Sequence, residues 1–434
     1  MNSAMTKTAI INARLIDPAT DYDGQGAVVI ENGKIKQVVH GHGAVDIDGA
    51  NVIDAMGRIL APGLIDIRVK TGEPGNEPKE TLKSAALSAA AGGVTTIVIQ
   101  PDTDPAVDDP AMIDHIQRRG AALELVHVRA AGAATQGRKG ERMAEIGLMD
   151  EAGALYFTDV DNVILNSRTL QRVMSYAASF NALIACRPTE PWLSEGTVAT
   201  AGELSTRLGL SAQPAIAERI QLERDLALVE QTGARFLVDQ ISTDSALEVL
   251  TRARKRGLDV AASVSINHLC FNEIDIGDYR TFYRLDPPLR TEEDRQAMIE
   301  AVRDGLIDVI TSAHCPEPAE NKRRPFAEAE PGAVGLETLL AAAITNLHHE
   351  NGIELIDVLR PLTHGPASLL GLESGTIAEG APADLVLFDA GAPIVVDAAT
   401  LKSKSKNSPF DGRRLQGKVL LTLVEGRIVH DQRQ

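Results

Sequence analysis

The sequence predicts an α/β fold: a (β/α)₈ barrel of the TIM type, with a smaller β domain assembled from both chain ends. Three observations lead there. The 434 residues exceed a typical single domain but suit one barrel of about 250 residues with a satellite. From residue 60 to residue 310, eight short apolar runs alternate with stretches whose apolar residues recur at three and four, the pattern of strand followed by crossover helix. On either side of that region the alternation gives way to β patterns punctuated by turn dipeptides.

Taken in order, the chain opens with a β run at 9–16, then 27–30 and 35–39 flanking Asn32-Gly33. That dipeptide signals a hairpin, because both central residues of a type I′ turn need positive φ. The barrel strands are read at 64–69, 96–99, 123–128, 155–157, 183–185, 236–238, 260–264 and 308–310, with helical patterns at 79–91, 141–152, 168–178, 245–256 and 292–303. The Ala-rich stretch 84–91 is expected to pack closely on the barrel. β character returns at 384–388 and 419–429, with a turn at Glu425-Gly426. The expected division is therefore 1–60 and 371–434 for the terminal β domain and 61–370 for the barrel.

Charge and composition narrow the function. A net charge of −17 argues against a general nucleic-acid binder, which needs a basic face. No apolar run approaches the roughly 20 residues of a membrane span. Residues 1–8 lack the charged, apolar and cleavage regions of a signal peptide. The three cysteines, Cys186, Cys270 and Cys315, form no disulfide framework. Both point to the cytoplasm.

Barrel chemistry sits at the C-terminal ends of the strands. Those ends offer Arg68 and Lys70 on one face of the first strand, Asp102 and Asp104 after the second, Arg129 after the third, and Asp159 and Asp161 after the fourth. Cys186-Arg187, Asp239-Gln240, Asn267-His268 and Ala313-His314 follow the remaining four. Catalytic zinc wants three His or carboxylate ligands and an open position, and protonated Lys or Arg has no lone pair to give. His268 and His314 are the only histidines near strand ends and are expected to be structural. Lys322-Arg323-Arg324 reads as a solvated charge run, and Trp192, the only tryptophan, as a loop or interface anchor.

Several segments, in one order along nearly the whole chain, carry a resemblance. Leu60-Ala61-Pro62-Gly63-Leu64-Ile65-Asp66, Glu73-Pro74-Gly75, Lys79-Glu80-Thr81, Gly92-Gly93-Val94-Thr95-Thr96, Gln240-Ile241-Ser242-Thr243, Pro287-Pro288-Leu289-Arg290, Gly335-Leu336-Glu337-Thr338 and 403–410 are similar to segments of dihydroorotases of the amidohydrolase superfamily. The resemblance implies a (β/α)₈ barrel with a β-sandwich from both termini, and for active relatives a hydroxide held by two divalent metals, usually zinc, with a strand-eight Asp moving protons. In this chain the first-strand His pair is replaced by Arg68 and Lys70, the fifth-strand His by Cys186 and the sixth-strand His by Gln240. Ala313 stands at the catalytic Asp position, just before His314. Asp159 alone matches the metal set. Gly72 stands where relatives use a substrate-binding Arg, and Asp102 and Asp286 where they use Asn.

No cofactor is therefore expected. The resemblance is strongest to noncatalytic members that associate with the catalytic chain of aspartate carbamoyltransferase, which implies that partner, an oligomer and a place in pyrimidine biosynthesis without hydrolase activity. Two alternatives stand beside it. One is an active cyclic amidohydrolase with an altered site, using Cys186 or Cys315 as nucleophile. The other is an anion-binding module built on Arg68, Lys70, Arg129 and Arg187. With the metals gone, the carboxylates of the mouth need compensation, and Arg68 or Lys70 is expected to pair with Asp159.

Overall fold

The computed structural model describes residues 7–433, so most of the segment expected to lack a leader lies outside it. Eight parallel barrel strands follow one another: Leu64–Val69, Val94–Ile99, His127–Ala130, Phe157–Thr158, Leu183–Cys186, Arg235–Val238, Val260–Ser265 and Val309–Thr311. Ladders join the first three and the last five. Two parallel bridges, Gly132 to Phe157 and Val69 to His314, complete the ring. Alternate residues from successive strands, among them Ile65, Ile67, Val98, Ala131, Leu183, Ala185, Leu237 and Val309, fill the interior as one apolar cluster, so the barrel is a packed core with its chemistry confined to the strand ends.

The helices explain themselves locally. The helix Leu82–Ala91 starts at a Thr81–Ser84 capping box, and Ala85, Ala86, Ala89 and Ala90 are all buried, so the expected close packing is observed. A Cβ at Gly92, which caps this helix, would lie 2.0 Å from the Leu336 carbonyl oxygen. The helix Glu292–Arg303 begins at Thr291, whose side chain accepts from the Asp294 N–H. No helix among the described residues is long and apolar enough to cross a membrane.

The chain ends build one eight-stranded sheet over a separate core that includes Ile10, Val28, Leu60, Leu385 and Leu421. Asn32 and Gly33, at φ +56° and +79°, turn between Tyr22–Glu31 and Lys34–His40 as the dipeptide predicts. Glu425-Gly426 likewise separates Arg414–Val424 from Arg427–Asp431.

Two readings change. The third barrel strand lies at 127–130 instead of 123–128, because the helix Pro110–Ala121 runs on into a turn in which Glu124 is left-handed. His127 then reaches Asp384 of the terminal sheet at 3.0 Å, and Arg129, two residues on and exposed, shares that outer face and leaves the mouth. The second change is a 17-residue helix, Ile216–Thr232, that the apolar pattern did not reveal. It buries Glu218, Gln221 and Asp225 while Ile216 and Ile220 stay 45% and 44% exposed.

Candidate functional site

At the C-terminal mouth of the barrel, three cations and four carboxylates interlock. Arg68 is 3% exposed and donates from Nε to Asp239 at 2.6 Å and from Nη2 to Asp161 at 2.8 Å. Lys70 donates to Asp161 and lies 3.0 Å from Asp102. Arg187 sits 2.7 Å from Asp286 and 3.7 Å from Asp161. Asp161 is the hub, in contact with all three cations.

The expected pair with Asp159 is not formed. Asp159 instead accepts from the Thr135 N–H at 2.9 Å and from the Thr135 hydroxyl. The reason is local backbone: Val160 is left-handed, φ +58°, an uncommon state for a β-branched residue. The turn it makes places Asp159 against the neighbouring loop and leaves Asp161 to the cations. Gln240 and Ala313, at two further strand ends, are left-handed as well, at φ +58° and +49°. Strained residues of this kind collect at functional sites.

Electrostatics follow from this packing. Burial alone would lower the Arg68 and Lys70 pKa values, but the carboxylates of Asp239 and Asp161 around Arg68, and of Asp102 and Asp161 around Lys70, outweigh it and raise both. Burial pushes the Asp161 pKa up, and Lys70, Arg68 and Arg187 override it to hold it well below the ordinary value of 3.8. Asp159, without such partners, is raised by burial against the Thr135 hydrogen bonds.

A depressed carboxylate adds stability that is complete above its unfolded-state pKa and is lost as pH falls through the folded value. The Asp161 contribution is therefore full above about pH 4 and is lost progressively below it, as pH falls towards the lowered folded-state value. Asp161→Asn should accordingly flatten the loss of melting temperature on acidification below about pH 4, read by thermal melts from pH 7 to pH 2.

The other site residues divide. Arg68, Lys70, Gln240, Asp286 and Ala313, with His268 and Cys315, line a remnant pocket of about 60 Å³. That is room for a few water molecules. Gly72 is enclosed by its loop: a Cβ there would meet the Asn76 carbonyl oxygen at 1.7 Å, so no long side chain could replace it. His314 lies behind the pocket, fully buried, with Nδ1 accepting from the Gly335 N–H at 3.2 Å and Nε2 3.5 Å from Glu80. Burial, helped by Arg290, holds His268 neutral, its pKa down to about 4.

Cys186 packs against the main apolar core. Burial raises the Cys186 thiol well above its ordinary value, and the Cys315 thiol is raised by burial despite Lys70. Neither is the activated thiolate that a nucleophile needs. With Arg68 and Lys70 consumed in ion pairs and Arg129 outside the mouth, the four-cation anion site is not assembled either.

The donor set does not fit a pair of divalent ions. Guanidinium and ammonium groups occupy the first-strand positions, an amide the sixth, and no cluster of three His, Cys, Asp or Glu side chains suited to a metal occurs among the described residues.

Residues missed in the sequence hold the mouth together. Glu218, 1% exposed, accepts from the Ser242 N–H at 2.8 Å, the Thr243 N–H at 3.0 Å and both their hydroxyls, while Arg290 reaches it at 3.3 Å and Ser242 at 3.0 Å. Two of the resemblance segments, 240–243 and 287–290, are thereby joined through one carboxylate that neither contains. Nothing in its residue type separates it from the other acids of the helix Ile216–Thr232.

Residues 57–246 match the family described as Dihydro-orotase-like, and 217–429 match the Amidohydrolase family. A dihydroorotase of Anaplasma phagocytophilum is 39% identical over 97% of this chain and 95% of its own length. One from Aquifex aeolicus is 34% identical over 98% of this chain and 100% of its own. Among solved structures, the L-hydantoinase of Arthrobacter aurescens superposes with a TM-score of 0.88 at 24% identity, covering 99% of this chain and 97% of that one, a likeness of fold.

Proposed function

The chain belongs to the dihydroorotase family of the amidohydrolases, and from that premise we propose that it serves pyrimidine biosynthesis without a two-metal centre, as a structural partner of the catalytic chain of aspartate carbamoyltransferase. One observation carries this reading: the Asp161 hub and its three cations stand at the strand ends where hydrolysis would require lone-pair donors. Two-metal hydrolysis depends on ions that lower the pKa of water and polarise the scissile amide. A mouth organised by cations supplies neither. The partner and the oligomer rest on the resemblance of the sequence to noncatalytic members.

A second reading, an active cyclic amidohydrolase working from an altered site, is favoured by a different observation. Relatives up to 39% identical over nearly the full length bear the name dihydroorotase. It would need a base and a nucleophile that the raised thiols and the neutral His268 do not provide.

One experiment separates the two. The tagged chain is isolated from its own cells without chelator, the eluate is searched for the transcarbamoylase chain, and the purified chain is assayed with dihydroorotate in added zinc. The first reading expects the transcarbamoylase in stoichiometric amount and no turnover above buffer. Turnover would replace it with the second, and an eluate holding this chain alone would end the claim of partnership.

A further inference from the structure

Beside the remnant pocket, the loops after the third, fourth, fifth and seventh strands enclose a second, far larger space. This cleft of about 810 Å³ is lined by Arg138, Arg187, Arg284 and Trp192, among others. Its size is that of a small-molecule site, and its polar groups are unusual. Neither Arg138 nor Arg284 has a carboxylate oxygen within 4.0 Å among the described residues, and the Nε of each is buried without a hydrogen-bond partner. Arg284 gives its other nitrogens only to the Leu285 and Thr197 carbonyls, at 3.1 and 3.3 Å. Burial holds its guanidinium below the ordinary pKa, with Asp286 and Glu330 only partly offsetting it. Arg187, 6% exposed, is ion-paired with Asp286 and Asp161, yet its Nε and Nη1 meet no acceptor in hydrogen-bond geometry. Arg138 is itself held left-handed, φ +57°.

A guanidinium that lines a cleft with no carboxylate beside it has its charge to offer an anion. The acids on the lining do not supply one: Asp161 is shared by Arg68, Lys70 and Arg187, Asp286 faces Arg187, and Glu141 and Glu195 make no ion pair among the described residues. A carboxylate's two oxygens are satisfied by a single guanidinium fork. Arg138 and Arg284, carried by separate loops and without a carboxylate partner among the described residues, match the nearly two charges of an anion with three acceptor oxygens, and the ion-paired Arg187 lines the same cleft. Next to them Trp192, 78% exposed, offers an apolar face.

We propose that this cleft binds a phosphate monoester, with Arg138, Arg187 and Arg284 around the phosphate and Trp192 against the organic group. The proposal does not depend on whether the barrel mouth turns over substrate.

Trp192 is the only tryptophan, so its emission reports on this cleft alone. Phenyl phosphate titrated into the full-length protein should change that emission saturably, with a Kd of about 1 mM or tighter, and calorimetry should return the same constant. Inorganic phosphate should compete. Arg138→Ala and Arg284→Ala should each weaken binding about tenfold or more, Arg284→Lys less, and Arg118→Ala, on an exposed helix, not at all. Melting temperatures identify any variant that has lost its fold, and the other substitution then decides. Absence of saturable binding, benzoate binding as tightly as phenyl phosphate, or unchanged affinity in a folded Arg138→Ala or Arg284→Ala protein would overturn the proposal.

Discussion

Arg68→Ala should destabilise the protein by about 3–5 kcal/mol, the cost of removing one partner from a buried ion pair. The substitution strips Asp239 of its 2.6 Å donor and Asp161 of one at 2.8 Å. It leaves two carboxylates in a mouth where only Lys70 and Arg187 remain to offset them. Urea denaturation followed by far-UV circular dichroism reads the loss as a lower midpoint at unchanged slope. The same physics makes a second claim. Because charge left unpaired is what costs, Arg68→Met combined with Asp161→Asn and Asp239→Asn should regain at least half of the loss, since neutral groups of similar shape replace an ion network at little net cost. An Arg68→Ala protein within about 0.5 kcal/mol of the parent, the range of an ordinary surface substitution, would show that the network holds nothing in place.

Glu218→Ala should cost a similar amount, about 3–5 kcal/mol, through a different mechanism. Four donors of Ser242 and Thr243, together with the Arg290 guanidinium, converge on this one carboxylate. All the groups involved are at most 2% exposed, so water cannot replace what alanine removes. Glu218→Gln keeps the shape and part of the bonding but loses the charge opposite Arg290, and should fall between parent and alanine variant. Denaturant midpoints of the three proteins give the order directly. An alanine variant as stable as the glutamine variant would mean that the carboxylate does not organise this corner of the barrel.

The fold was legible because periodicity and turn chemistry are local. Leu64–Val69 and Glu292–Arg303 stand where their patterns place them, and Asn32-Gly33 turns as its need for positive φ requires. The helix Ile216–Thr232 was not legible for an equally physical reason. Its buried face carries Glu218, Gln221 and Asp225, of which Glu218 is satisfied by partners far away in sequence, while two of its isoleucines face outward. Acids among its buried leucines, and isoleucines on its outer face, blur the apolar stripe there.

The site divides along the same line. That Arg68 and Lys70 cannot be metal ligands follows from their chemistry and can be read from two letters. Which acid they pair with depends on one backbone torsion, at Val160, and nothing in the residue types forecasts a left-handed valine. The same holds for Arg129, carried to the outer face by a shift of the third strand, and for Gly72, whose missing side chain is as much an effect of loop closure as of lost recognition. Cys186 was placed at the right strand end but packs into the core. The cleft beside Trp192 was invisible, since its arginines come from loops about 50 to about 150 residues apart, brought together only when the barrel closes.

The central claim is that an ion-pair network stands in the mouth in place of two divalent metals. Elemental analysis of the protein purified without chelator, dialysed against excess zinc and then freed of unbound metal, tests it most directly. The predicted result is zinc far below one ion per chain, unchanged in the Asp159→Asn variant. Two tightly held ions per chain, lost in that variant, would contradict it.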